Sequence, residues 1–473
     1  MRNLASLQKH ISLLLISFSY NDDVSVHSER IHHGNYVGIE VTMRIGIRRE
    51  DKNRWEGRAP LVPDDIRELI QETDLAFSIQ PSTIRSIPDE EYRKVGVDVS
   101  EDLSSCDIIF AVKEIPEDLI LPEKTYVFFS HVIKAQSYNM PMLKRLMDKG
   151  CTLIDYEKMI DDKGRRLIFF GRFAGAAGMV DTLWALGQRQ KWEGCDTPFS
   201  RIMPAHHYGD TTSAKQALCE VAFFISAGIS SAISPIIIGI SGYGHVSQGA
   251  QEMLNSFPVE EVPPAVLPSL RESGGRNDRI YISVFKEEDL VEPIGDDRFD
   301  LQDYYENPGK YRSVFHRYWP YMTVFVNAVY WDERYPRMIT KNELHERVTS
   351  PIRPWLKVIG DISCDIEGAV ECTVRATSTD EPLYVYDPIH DSAIPGIAGC
   401  GPVIMAVDNL PCEFPTEASN EFSRALYPFV PAIGKADYGD TLAGSNLPDT
   451  IKRATILWRG HLTEEYSYLK DHV

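Results

Sequence analysis

Short apolar runs alternate with polar, capped stretches along most of this chain. Met43–Arg48 (MRIGIR) switches between apolar and polar residues with the period of a strand, and Asp64 is placed to cap a helix over Asp65–Glu72. Leu75–Gln80, Asp107–Lys113 (DIIFAVK), Thr125–Ser130 (TYVFFS) and Cys151–Asp155 (CTLID) read as further short strands, each followed by loop and helix signals. A helix is predicted from Thr211, then strands at Ile236–Ser241, Arg279–Phe285, Trp355–Ile362 and Pro402–Asp408, and a helix over Pro415–Leu426. Buried strands alternating with helices predict an α/β fold with parallel sheets. Pro293–Pro320 is aromatic and polar with little periodicity, and is expected to be a long ordered excursion.

Val221–Gly244 is apolar and long enough for a membrane span, but it holds five serines, four glycines and Pro235. It reads better as a helix end, a turn and the strand Ile236–Ser241, so no membrane partner is expected. Residues 1–42 differ in character. Met1–Tyr20 contains no acid, two basic residues and Leu/Ile at positions 4, 7, 11, 14 and 15. That spacing suits an amphipathic transit peptide, and the alternative is an extension preceding a start at Met43. The expected location is intracellular, in the mitochondrial matrix or the cytoplasm.

The 473 residues carry 49 Lys plus Arg against 69 Asp plus Glu, a net charge of −20. Such a surface repels phosphate backbones and anionic lipid, which excludes nucleic acid as a main partner. An anionic substrate then needs a local basic cleft. The eight cysteines form no CxxC pair and no His tract has metal spacing, so buried reduced thiols and no metal are expected.

The chemistry concentrates at two places. Gly242, Gly244 and Gly249 follow a buried strand and open a helix (GYGHVSQGAQ), with Ser247 in the slot of the third glycine. A tight turn, close backbone approach and a helix N-terminus are what a pyrophosphate needs, and this predicts dinucleotide binding by Gly242, Gly244, His245, Val246, Ser247 and Gly249. An acid about 20 residues on would favour NAD, and Glu260 and Glu261 lie there; Arg271, Arg276 and Arg279 follow and could take a 2′-phosphate. The residues do not choose. The second place is the carboxyl ends of two strands, where Lys113 and His131 point toward a cleft as an acid/base pair. The bland alternative is a solvated lysine and a core histidine. Arg48, Arg49, Arg54 and Arg58 follow the first strand as a carboxylate clamp, or else as ion pairs with Glu50, Asp51 and Glu56.

RREDKNRWEGRAPLVP, FFSHVIKAQ, LIDYEKMIDDKGRRLIFFGRFAGAAGM, GYGHVSQGAQ, CDIEGAVE and VDNLPCEFPTEAS together resemble the lysine–2-oxoglutarate reductase family, the saccharopine-forming half of bifunctional aminoadipic semialdehyde synthases. The chain is similar more distantly to alanine dehydrogenase. The resemblance implies two Rossmann-like domains with the active site in the cleft between them. Residues 43–172 plus about 390–473 would form the substrate domain, and about 173–389 the dinucleotide-binding domain. It implies Lys113 and His131 as the catalytic pair, with Arg58, Lys134, Gln136 and Glu157 at the substrates, L-lysine and 2-oxoglutarate, and the arginine cluster adds Arg49 to that set. It adds Asp361 near the cofactor, and NADPH as that cofactor with NADH left open. A homo-oligomer or a companion saccharopine-oxidising enzyme is also implied. Two departures stand out: the loop carries Tyr243 and His245 where the family has smaller residues, and Pro263 replaces an acid. The alternatives are an alanine-dehydrogenase-like enzyme and a non-catalytic dinucleotide-binding module.

Overall fold

The computed structural model describes residues 43–351 and 354–473, so the expected transit peptide lies outside the described residues. Six strands build one sheet in the first third of the chain: β1 (Arg44–Ile47), β2 (Ala76–Ile79), β3 (Asp98–Val99), β4 (Ile108–Phe110), β5 (Thr125–Phe128) and β6 (Thr152–Asp155). A second sheet holds β7 (Ile236–Ser241), β8 (Val259–Glu261) and β9 (Ile280–Phe285). After a separate ribbon of β10 (Val291–Pro293) and β11 (Tyr311–Ser313), it continues through β12 (Val324–Asn327), β13 (Val358–Asp361), β14 (Leu383–Asp387), β15 (Ser392–Pro395) and β16 (Val403–Met405). The chain then returns to finish the first sheet with β17 (Thr455–Trp458) and β18 (His461–Leu462).

The orders are β18-β17-β6-β5-β4-β1-β2-β3 and β15-β14-β16-β13-β12-β7-β9-β8. Both sheets are mostly parallel, with antiparallel pairs only at the edges, where β17 meets β6 and β18, and β14 meets β15 and β16. Strands covered on both faces read as continuous apolar runs. β5 (TYVF) and β7 (IIIGIS) are buried at every position, each large aliphatic side chain contributing about 1.5–3 kcal/mol. The α/β architecture expected from the sequence is what the chain adopts.

Two details differ from the sequence reading, and a long buried helix was absent from it. The helix expected at Asp65 begins at Pro63, with Val62 as its cap, because proline is preorganised for a first helical position. Strands through Met405 stay with the second sheet, so the crossover expected near residue 390 falls later, and the first core gains its C-terminal share from Phe422 onward. The helix Gly171–Trp192 has no amphipathic period because it is buried around most of its circumference. It packs against the helix His245–Leu254 through two glycines. A Cβ at Gly249 would stand 1.9 Å from the Arg172 carbonyl, and one at Gly175 would stand 1.9 Å from the Val246 carbonyl. The Pro293–Pro320 excursion is ordered by buried aromatics, with Tyr304, Tyr311, Phe315 and Trp319 in one core with second-sheet residues such as Ile237, Phe325 and Ile359. Among the described residues no helix is long and apolar enough to cross a membrane.

Candidate active site

In each sheet one strand has its chain-order successors on both sides: β1 lies between β2 and β4, and β7 lies between β9 and β12. Crevices form beyond the carboxyl ends of strands at such points. The loop after β1, the residues after β4 and those after β5 carry Arg58, Lys113 and His131, and the turn after β7 carries the glycines. These groups meet around one cavity of 610 Å³, whose lining includes Arg58, Lys113, His131, Glu157, Gly244, His245 and Val246.

Lys113 is partly buried, and its backbone N–H donates to a buried carboxylate, Glu50 Oε2, at 3.0 Å; the neighbouring Val112 N–H donates to Glu50 Oε1 at 2.7 Å. Burial, reinforced by the positive charges of Arg58 and Lys52, lowers the Lys113 ammonium below its ordinary range. Glu50 itself is pushed up to about 7 by burial and by the charge of Glu56. His131 sits at φ +50°, a left-handed conformation that holds its ring at the strand end. Its Nδ1 is 2.6 Å from Glu114 Oε1, and its ring stacks on Phe129. Burial opposes ionisation of Glu114, but the hydrogen bond and charge of His131, with Lys52 at 3.2 Å, hold that carboxyl down at about 2. An ionised Glu114 can only accept, so the proton of this bond is on Nδ1 and Nε2 is left for the cleft.

Arg58 is fixed from three directions. Its Nε and Nη2 donate to the two oxygens of Glu56 at 2.7 and 2.6 Å, and Nη2 also donates to Asn409 Oδ1 at 2.8 Å. Asn409 Nδ2 donates to Glu56 Oε2 at 2.8 Å, and the guanidinium lies over the Phe170 ring. Among the described residues Nη1 makes no hydrogen bond. Glu157 lines the cavity and pairs with Arg166, which lines it too.

Several expected residues are elsewhere. Arg49 pairs with Glu101 at 2.6 Å and borders other surface cavities, not this one. Lys134 is exposed near Asp365, Gln136 accepts a bond from Tyr138 at 3.1 Å, and neither lines the cavity. Asp361 is 1% exposed, bonds Asn327, Thr373 and the Cys364 N–H, and does not line the cavity. Ser247 is fully buried and accepts from Gln251, and Gly249 is the helix contact described above; neither reaches the cavity. The sequence reading missed Glu114, Arg165, Arg166, Asp408 and Asn409. Glu114 directly follows Lys113, and that adjacency was the one available signal.

At the glycine turn Gly242 has φ +82°, which its lack of a side chain permits. Gly244 caps the helix His245–Leu254, and a Cβ there would meet nothing within 4 Å, so the helix N-terminus opens onto free space. Gly244 and Ala328 also border a second, aromatic cavity of 320 Å³. A dinucleotide can therefore lie across the turn with one end in each cavity.

Residues 46–177 match the family model for the alanine dehydrogenase/PNT N-terminal domain. The chain is 37% identical over 463 residues to the alpha-aminoadipic semialdehyde synthase of Arabidopsis thaliana, covering 94% of this chain and 42% of that one. It is 35% identical over 453 residues to the mitochondrial alpha-aminoadipic semialdehyde synthase of Bos taurus, covering 92% and 48%. The chain thus spans less than half the length of these relatives. Identity to the saccharopine dehydrogenase [NAD(+), L-lysine-forming] of Emericella nidulans is 25%, over 81% of this chain and 90% of that one. Among solved structures, an L-alanine dehydrogenase superposes with a TM-score of 0.59 at 16% identity, over 91% of this chain and 100% of that one, a likeness of fold.

Proposed function

From its homology to one portion of the alpha-aminoadipic semialdehyde synthases, and its alanine dehydrogenase/PNT N-terminal domain, we propose that this chain is a lysine–2-oxoglutarate reductase forming saccharopine. The observation that carries the reading is the convergence of Lys113, His131 and the Gly244 turn on one cavity. In this reading the first sheet and its helices are the substrate domain, and the second sheet is the dinucleotide domain.

The ε-amine of lysine attacks the keto carbon of 2-oxoglutarate, the carbinolamine loses water, and the resulting imine is reduced. A bound nicotinamide dinucleotide supplies the hydride. The protein's part is proton movement and position. Lys113, lowered by burial and neighbouring cations, is the group placed to take a proton from the substrate ammonium. His131 serves the carbinolamine hydroxyl through Nε2, with Glu114 fixing the ring from the other side. Arg58 Nη1, and the arginines at 165 and 166 on the cavity wall, form the basic island that two carboxylate-bearing substrates need on a chain of charge −20. The retained acid/base pair argues against a non-catalytic module.

Glu114→Gln keeps the shape of the His131 contact and removes its charge. The variant is expected to lose about 10- to 100-fold in kcat, with dinucleotide affinity unchanged. An unaltered kcat would make Glu114 a structural partner only. The reading as a whole is tested by dinucleotide oxidation with 2-oxoglutarate in the presence and absence of lysine. Oxidation should require lysine; oxidation with ammonia alone would favour the alanine-dehydrogenase-like alternative. The resemblance implies NADPH as the reductant, but the residues around the adenosine end argue otherwise.

A further inference from the structure

We propose that the cofactor is NAD(H) and not NADP(H), with Glu287 binding the adenosine ribose through its 2′-hydroxyl. The inference rests on the glycine turn being a dinucleotide site and goes on to specify which dinucleotide it takes.

The strand order decides where the ribose reader is. A reading by distance along the chain puts it at Glu260 or Glu261, on the strand that follows the glycine helix. That strand, β8, is the sheet edge; β9 lies between it and β7. Glu260 and Glu261 are level with Tyr281 and Ile282, in the first half of β9, and Glu260 pairs with Arg279 at 2.9 Å. They are therefore remote from the carboxyl-end crevice. The strand beside the glycine turn is β9, which runs in register with β7 to the pair Ser241 and Phe285, and the Gly242 N–H donates to the Phe285 carbonyl at 2.9 Å. Glu287 follows two residues later.

Glu287 lines the 320 Å³ cavity together with Gly242, Tyr243 and Gly244, and among the described residues it is the only charged one of that lining. Its Oε1 accepts from the Tyr305 hydroxyl at 2.6 Å, which holds the carboxylate in place at the cavity wall. Tyr243, in the glycine turn, has its phenol raised by burial and by the charge of Glu287. A ribose 2′-hydroxyl can donate to such a carboxylate. A 2′-phosphate, carrying up to two negative charges, would meet it with no cation among the described lining residues to offset the repulsion. Glu288 and Asp289 add to the local acidity, and Lys286 is exposed and outside the lining.

The arginines that could have taken a 2′-phosphate are at the wrong end of the sheet. Arg271 donates to the carbonyls of Pro235 and Tyr321, beside the amino ends of β7 and β12. Arg276 and Arg279 both pair with Asp278, just ahead of β9. Each is separated from the glycine turn by the length of a strand.

The test is a fluorescence titration of the full chain with NADH and with NADPH, for the wild type and for Glu287→Gln. NADH is expected to bind at least ~10-fold more tightly than NADPH, and Glu287→Gln should bring the two affinities within a factor of about 3. Equal or tighter binding of NADPH by the wild type would overturn this inference alone, as would an unchanged ratio in a folded Glu287→Gln. Binding of neither dinucleotide would overturn both this inference and the reading beneath it. Should the variant not fold, the wild-type ratio decides.

Discussion

The double variant Lys113→Met, His131→Gln is expected to form saccharopine about 10⁴-fold more slowly than the wild type while its dinucleotide titration stays unchanged. Both side chains sit at carboxyl ends of adjacent strands, β4 and β5, so one cavity receives both. The condensation moves several protons before any hydride transfer, and each transfer needs a group whose two protonation states are both accessible. Burial and the charges of Arg58 and Lys52 bring Lys113 toward that condition, and Glu114 gives His131 a fixed orientation. Neither substituted residue belongs to the glycine turn, so cofactor affinity is the internal control for folding. Each single variant should show most of the loss, because groups acting as a unit are not additive. Turnover near normal in the double variant, checked by product formation, would remove the pair from the mechanism.

The largest effect on stability is expected from Glu56→Ala. Glu56 and Arg58 have side chains 0% and 1% exposed and are joined through two bonds, with Asn409 bonded to both. Removing one member strands a buried guanidinium, a loss of about 3–5 kcal/mol, whereas exchanging both members for apolar residues of similar size is far milder. Glu56→Ala should therefore lower the urea midpoint markedly, and Glu56→Leu with Arg58→Met should recover much of it. Equal losses in the two variants would contradict this account of the pair. The sign with pH follows from the shift. Burial alone would raise the Glu56 carboxyl, but the charge and bond of Arg58, then Asn409 and Lys113, hold it below its ordinary 4.5. A depressed folded value means that the contribution is present above the unfolded value and is lost as pH falls through the folded one. The gap between wild type and Glu56→Ala should thus narrow on acidification below about pH 4.

Much of this site was legible in the chain because parallel strands announce themselves. DIIFAVK and TYVFFS are apolar runs that end in a lysine and a histidine, and the end of a buried strand is where a ligand binds. The glycine turn was legible for the same reason. What was not legible depends on distance. Asn409 reaches Glu56 and Arg58 across more than 350 residues, and Glu114 meets His131 from a neighbouring strand. No local pattern encodes the first, and for the second the adjacency of Glu114 to Lys113 was the one signal. An acid at the end of a strand can serve buried neighbours as readily as a ligand, and Asp361 makes three bonds to such neighbours. Charge clustering along the chain does not say which side of the loop each side chain leaves, and Arg49 leaves toward Glu101. The ribose reader stayed open in the sequence because spacing after the first glycine assumes that the next strand in the chain is the next strand in the sheet. Here β9 lies between them.

The central claim is that this cavity joins two substrates through a secondary amine. Its most direct measurement is mass spectrometry of the product formed from 2-oxoglutarate and lysine labelled with ¹⁵N at the ε-nitrogen, with unlabelled ammonia present. The account predicts a labelled adduct that carries both carbon skeletons, formed in step with dinucleotide oxidation. Unlabelled glutamate as the product, with the lysine recovered intact, would contradict it.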